Sequence, residues 1–266
     1  MLEILIVLFI LYLLAIRCRG DHPGMAALKG WSYAHRGLHG QGVPENSMAA
    51  FKAALDAGYG IELDVHLLAD GNLAVIHDSL LNRTTGQPGR IEDLTTAQLK
   101  DYRLEGTEET IPEFQDLLTL YNGKAPLIVE LKPVDGNHAQ LTETACKMLE
   151  TYPGPYCLES FDPRCIQWLK KHRPHLIRGQ LAYNYAGGRE DMPDIMRFLL
   201  THYLMNCTCV PDFIAYRYCD RKKTLSNELC RKVWKAAAVS WTLKTKEEYD
   251  TAVKEGWLPI FEGFRP

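Results

Sequence analysis

The chain has 266 residues, 46% of them hydrophobic, and a formal net charge of −3 at pH 7. That length can bury one large core, so a single α/β barrel fits it as well as two small domains would. With a pI near 6.3, the composition argues against a nucleic-acid partner.

The N-terminus differs in kind from the rest. Leu2–Ile16 is apolar apart from Glu3 and Tyr12. Fifteen helical residues reach ~22 Å, short of the roughly 30 Å hydrocarbon core. Extension to Cys18, with Arg17 and Arg19 snorkelling, closes most of that gap. A cleaved signal peptide wants positive charge before the apolar run; here Glu3 precedes it and the arginines follow. Arg17 directly before Cys18 also spoils a lipoprotein-type cleavage site. The expectation is an uncleaved transmembrane helix over residues 1–19 and a connector over 20–30, with a helix lying on the membrane surface as the alternative. The positive-inside rule then puts the domain at 31–266 in the cytoplasm. Eight cysteines in no metal-ligand spacing read as reduced core thiols, which agrees.

Trp31–His35 reads as a first strand, ending on His35 and Arg36. Asn46–Ala57 has Met48, Phe51, Ala54 and Leu55 at helical spacing. Tyr59–Leu68 is a strand in which Glu62 and Asp64, two apart, point to one side, and His66 continues the alternation. An Asp70-Gly71 turn reverses the chain into Asn72–His77. Residues 79–110 form a small insertion with a short helix at Thr96–Tyr102. Pro112–Tyr121 is a helix, and Leu127–Lys132 a strand with Glu130 and Lys132 on one face. His138–Thr151 (helix), Tyr156–Ser160 (strand), Pro163–His172 (helix) and Leu176–Ala182 (strand) follow. Met192–Leu200 reads as a helix and Tyr203–Asn206 as a strand. Leu225–Lys235 (helix), Ala237–Leu243 (strand), Lys246–Glu255 (helix) and Leu258–Phe261 (strand) close the chain. About eight alternations of strand and helix predict a (β/α)₈ TIM barrel, whose chemistry sits at the C-terminal rim of its strands.

Glu62, Asp64 and Glu130 interrupt apolar barrel-facing runs, where lone charges cost heavily. A cation would neutralise them, and all-oxygen ligands point to one Mg²⁺ or Ca²⁺ rather than Zn²⁺. Lys132 and Arg36 supply positive charge for phosphate oxygens. His35 and His77 flank the carboxylate pair and can trade protons near neutral pH. One histidine would activate water or a neighbouring hydroxyl and the other would protonate the departing alcohol; the sequence leaves open which does which.

The runs HRG, PENS, ELDV, DGNLAVIHD and RTTG, with VELK at 129–132, ESFDP at 159–163 and SWTL at 240–243, resemble the glycerophosphodiester phosphodiesterase family. The resemblance implies a (β/α)₈ barrel of the phospholipase-C-like phosphodiesterase type. It implies a divalent ion on Glu62, Asp64 and Glu130, with Glu45 near it. It makes His35 and His77 the acid–base pair, sets Arg36 and Lys132 on the phosphate, and lines the glycerol side with Phe161 and Trp241. The expected substrate is a small-molecule or lipid-derived phosphodiester, cleaved to glycerol phosphate and an alcohol.

Two stretches depart from the family pattern. The chain closes WLPIFEGFRP where the family has an ITDxP-like run, with Glu262 as a candidate polar rim residue. Segment 183–222 is aromatic and basic and matches no family pattern; it suits a lipid headgroup. Two other readings stand beside the first: a membrane-surface diesterase acting on lysophospholipids or phosphatidylglycerol-type lipids, and a non-catalytic barrel binding a phosphorylated ligand.

Overall fold

In a computed structural model, residues 1–186 and 192–266 are described; part of the 183–222 segment, residues 187–191, lies outside them. Among the described residues, nine strands form one sheet: β1 Tyr33–His35, β2 Gly60–Leu67, β3 Leu73–Val75, β4 Leu127–Leu131, β5 Tyr156–Ser160, β6 Arg178–Ala182, β7 Phe213–Arg217, β8 Ala237–Leu243 and β9 Leu258–Phe261. All but β3 pair in parallel, and β1 pairs with both β2 and β9, so eight strands close into the predicted barrel. β3 is antiparallel to β2, across the Asp70-Gly71 turn, where Gly71 takes a φ of +86°. The insertion that follows buries Leu81, Ile91, Leu94, Leu99 and Leu104 in its own small core.

Local chemistry sets the helix starts. Ser47 accepts from the Ala50 amide, and Asp162 accepts from the Arg164 amide ahead of Pro163. The helices bury Phe51, Phe114, Leu117, Leu141 and Leu169 against the outward residues of the sheet, among them Ile61, Leu63 and Val65. The inward residues alternate with these. Tyr33, Ile128, Cys157, Leu181, Phe213, Val239 and Ile260 fill the barrel interior. Two residues further along β1, β4, β5, β8 and β9 or their ends stand His35, Glu130, Glu159, Trp241 and Glu262. Strand periodicity therefore lifts the polar set onto an apolar floor.

That floor has no slack at Gly179. A β-carbon there would meet the Phe213 ring at 2.0 Å. Gly179→Ala is expected to destabilise the fold by about 3 kcal/mol, the upper end of ordinary overpacking, read as a lowered urea midpoint with an unchanged slope.

Two expectations are corrected. The N-terminal helix is Leu2–Ala15, 14 residues, ~21 Å long, and among the described residues no helix is long and apolar enough to cross a membrane. The helix cannot borrow the following residues. Ile16 and Cys18 are buried in the barrel's outer core, and Arg19 pairs with buried Asp212. The membrane-anchored location falls with the span, and so does the cytoplasmic placement inferred from it.

The strand expected at Tyr203–Asn206 is also absent. Tyr203 takes a left-handed φ of +57°, which breaks an extended run, and Asn206 opens the short helix Asn206–Cys209. The barrel strand is β7, ten residues later. All eight cysteines are free, six of them buried.

Candidate active site

The C-terminal rim gathers the polar residues by register. His35 pairs with Glu62 across β1–β2, Asp64 with Glu130 across β2–β4, and Glu130 with Glu159 across β4–β5. Neighbours in register point the same way, so Asp64, Glu130 and Glu159 form a row of acids. Glu62, Asp64 and Glu130 are each under a tenth exposed. Each offers an oxygen within 4.8 Å of the other two.

Such a cluster repels itself; at an effective dielectric of 20, two charges about 4 Å apart cost roughly 4 kcal/mol. Burial, reinforced by Asp64, pushes Glu62 well above the carboxylate range. Burial also raises Glu130, to about 7, although Lys132 pulls the other way. Glu159 is raised well up by burial and by Glu130. Asp64 is the exception. Burial raises it, but Lys132, His77 and Arg36 and a 2.9 Å hydrogen bond from the Asn46 amide hold it below the usual range. Lys132 Nζ lies 2.9 Å from Glu130 and 3.4 Å from Asp64, and Arg36 Nε lies 3.5 Å from Asp64.

With all four acids ionised, the two cations would leave two negative charges uncompensated, the charge one divalent ion would bring; without it, Glu62 and Glu159 are pushed toward their protonated forms. Asp64 Oδ1 accepts no hydrogen bond and has only the 3.4 Å ion pair with Lys132. The donor set is all oxygen. On both counts these residues fit a hard divalent cation.

Each candidate imidazole is held through Nδ1 by a carboxylate. His35 Nδ1 donates to Glu262 at 2.6 Å, and His77 Nδ1 donates to Asp78 at 2.6 Å. In both, Nε2 is left as the free nitrogen; His35 Nε2 sits 3.8 Å from Glu62. Burial lowers both histidines, His77 to about 4, which favours the neutral form that a general base needs. Hydrogen bonding from His35 holds Glu262 down at about 2.

Glu45 accepts from Arg36 at 2.9 Å and from Arg83 at 2.6 Å, and Arg83 reaches on to Asp78. The two arginines thus tie the loop after β1 to the loop after β3. His66 joins neither set: it is buried between Glu92 and the His77 carbonyl.

His35, Arg36, Glu45, Glu62, His77 and Glu130 line one cavity of about 320 Å³. Phe161 and Trp241 wall the same cavity, edge to face with centroids 5.5 Å apart. Asp64 and Lys132 touch residues that line it: Lys132 lies 2.9 Å from Glu130, and Asp64 lies 3.5 Å from Arg36. The expected site residues therefore converge. The larger cavity of about 1150 Å³ is at the opposite end, where β8 and β9 begin, and has none of the acid–base set.

Three residues escaped the sequence reading of the site: Glu159, Asp78 and Arg83. The signals were in the motifs already quoted, in ESFDP, IHD and RTTG. The pairing of Glu262 with His35 was not legible at all, since 227 residues separate them.

Comparison with known proteins points the same way. The model of the glycerophosphoryl diester phosphodiesterase family matches residues 35–190. A glycerophosphodiester phosphodiesterase of Bacillus altitudinis is 42% identical over 155 residues, which is 54% of this chain and 63% of that relative. The match thus spans less than two thirds of that relative's length. Glycerophosphodiester phosphodiesterase 1 of Mus musculus is 32% identical over 246 residues, 81% of this chain and 72% of the relative. Among solved structures, an Oleispira antarctica phosphodiesterase in complex with the product sn-glycerol-3-phosphate is 22% identical with a TM-score of 0.72, covering 89% of this chain and 94% of that one. A glycerophosphodiester phosphodiesterase from Thermotoga maritima, also 22% identical, gives 0.64, covering 87% and 93%. At these identities the structural likeness is one of fold.

Proposed function

The chain belongs to the glycerophosphoryl diester phosphodiesterase family, and from that premise we propose that it hydrolyses glycerophosphodiesters to glycerol phosphate and an alcohol with one divalent cation, Mg²⁺ or Ca²⁺. The observation that carries this is the convergence of Glu62, Asp64 and Glu130 within 4.8 Å, with His35 and His77 lining the same cavity.

Glu62, Asp64 and Glu130 would hold the cation, which when bound draws electrons from a phosphoryl oxygen and offsets the charge that grows there. Arg36 and Lys132 bring their fixed positive charge to the remaining phosphoryl oxygens. One imidazole, neutral, takes the proton of the nucleophile at Nε2. The other gives its Nε2 proton to the leaving alcohol oxygen, so it enters the turnover as the imidazolium, with the carboxylate at Nδ1 offsetting its charge. The proton taken by the first ring makes good the one it gives. The nucleophile is water or the adjacent glycerol hydroxyl; in either case one water is consumed overall. Glu262 and Asp78 keep each ring in the tautomer that frees Nε2. Glycerol suits the polar cavity, where Trp241 Nε1 and Glu159 Oε2 are buried without a hydrogen-bond partner.

Purified protein incubated with glycerophosphocholine, glycerophosphoethanolamine and glycerophosphoglycerol should release glycerol phosphate only when Mg²⁺ or Ca²⁺ is supplied. No release from any diester under either ion would reject the reading in favour of a non-catalytic phosphate-binding barrel.

Glu262→Gln tests the tautomer role. We expect kcat to fall about 10- to 100-fold, the usual cost of removing a carboxylate that orients a functional histidine, with KM within a factor of about three. A purely structural role would lower the melting temperature and leave kcat per folded molecule unchanged.

A further inference from the structure

We propose that the enzyme is shaped for glycerophosphodiesters whose leaving alcohol carries an apolar chain, and that this chain lies in a groove beside the polar cavity. The inference rests on the diesterase reading above and adds the class of alcohol. The groove has a volume of about 650 Å³ and shares His77, Glu130 and Phe161 with the polar cavity. A phosphodiester seated at those shared residues has one arm in each compartment. The two compartments differ in chemistry. The polar one offers Glu159, Trp241 Nε1 and Glu262, which suit hydroxyl groups. The groove offers Leu80, Leu131, Pro133, Val134 and the face of Phe161.

Leu80 is 59% exposed. It directly follows His77-Asp78-Ser79, so it extends the groove outward from the acid–base group.

The charges in the groove favour the same occupant. Asp78 is bound by Arg83 at 2.5 Å, Lys132 by Glu130 at 2.9 Å, and Asp162 by Arg164 at 2.6 Å. Each charged side chain lining the groove is already engaged by another. A cationic headgroup such as choline finds no uncommitted carboxylate there and only the single face of Phe161, whereas an alkyl chain needs only the apolar wall. The third possibility, an acyl chain carried on the glycerol, would require an apolar group in the compartment with the buried acids.

The test is a homologous series of glycerophosphodiesters of ethanol, butanol and hexanol, assayed below any micelle concentration with the full chain and saturating Mg²⁺ or Ca²⁺. Full burial gives roughly a fourfold gain per methylene and a half-open groove about half of that in free energy, or twofold. Thus kcat/KM should rise about 16-fold from the ethyl to the hexyl ester, and the hexyl ester should exceed glycerophosphocholine. In Leu80→Gln and Val134→Thr the hexyl-to-ethyl ratio should drop toward one. A flat series in the wild type, a preference for glycerophosphocholine, or a preference for a chain on the glycerol overturns the proposal.

Calorimetric titration of the ethyl and hexyl esters into His35→Ala, whose change lies outside the groove, reads the groove without turnover. There the hexyl ester should bind about 16-fold tighter, and adding Leu80→Gln should erase the difference. If no diester is cleaved but this difference is found, the hydrolase reading fails and the groove stands. Equal binding of the two esters removes the groove whatever the turnover.

Discussion

His77→Ala is expected to lower kcat/KM on glycerophosphodiesters by about 10²- to 10⁴-fold, the usual contribution of a positioned proton-transfer group. His35→Ala should fall in the same range. The reason lies in how the two rings are prepared. Each donates Nδ1–H to its own carboxylate at 2.6 Å, so each presents a free Nε2 to the cavity and neither spends that nitrogen on the protein. Burial favours the neutral, proton-accepting form, and the ring that serves as acid carries its proton on the same Nε2. The side chains are only partly buried, at 13% and 30% exposed, so truncation at the rim leaves the apolar floor intact and the fold should persist. The double variant should lose much less than the product of the two single losses, because a chain of proton transfers fails once at either end. The check is steady-state kinetics beside a melting curve with and without Mg²⁺ or Ca²⁺. An ion-induced rise in melting temperature that survives in His77→Ala separates lost chemistry from a lost ion site. A loss under about threefold in either variant would remove that histidine from the reaction.

How much of this was readable from the chain depends on the distance over which each feature is encoded. The ends of β5, β8 and β9 and the helix Pro163–His172 coincide with the sequence reading, because turn residues and caps mark them locally. Glu62 and Asp64 were legible as a same-side pair because strand periodicity is local too. β7 was not. Phe213, Ile214, Ala215 and Tyr216 are all buried, so both faces are apolar and no alternation marks the strand. The preceding Tyr203–Asn206 had the composition of a strand but a left-handed residue at its start. The N-terminal run failed for a different reason. Its apolar residues do continue to Ile16 and Cys18, but those two belong to the barrel core, and hydrophobicity alone does not say which apolar surroundings a residue will have. Glu262 depends on barrel closure, where β9 returns to β1. No local pattern carries that pairing.

For Glu62→Gln the expected outcome is loss of activity without loss of stability. In the ion-free protein, burial and the neighbouring Asp64, Glu130 and Glu159 push Glu62 well above the usual carboxylate range. A group raised in this way tends to keep its proton, and glutamine is its near isostere, so ion-free stability should change by less than about 1 kcal/mol. Wild-type protein should behave differently once the ion is added. A ligand at a hundredfold excess over its Kd adds about 2.7 kcal/mol. A chain of this size gains about 2–4 °C per kcal/mol, so its melting temperature should rise by roughly 5–10 °C. Glu62→Gln keeps an acceptor oxygen but has no proton to release, so the cluster can offer the cation one negative charge fewer. Its melting temperature should therefore move by less than about 2 °C on ion addition. Turnover should fall by at least about 10²-fold, since the charge that stabilises the phosphoryl oxygens is no longer held. The thermal readout is independent of the assay, so it tests the carboxylate cluster even if the true substrate is a diester outside those tried. A wild-type-sized ion shift in Glu62→Gln would mean that the cation sits elsewhere, and His35 and His77 would then face acids with no ion to hold.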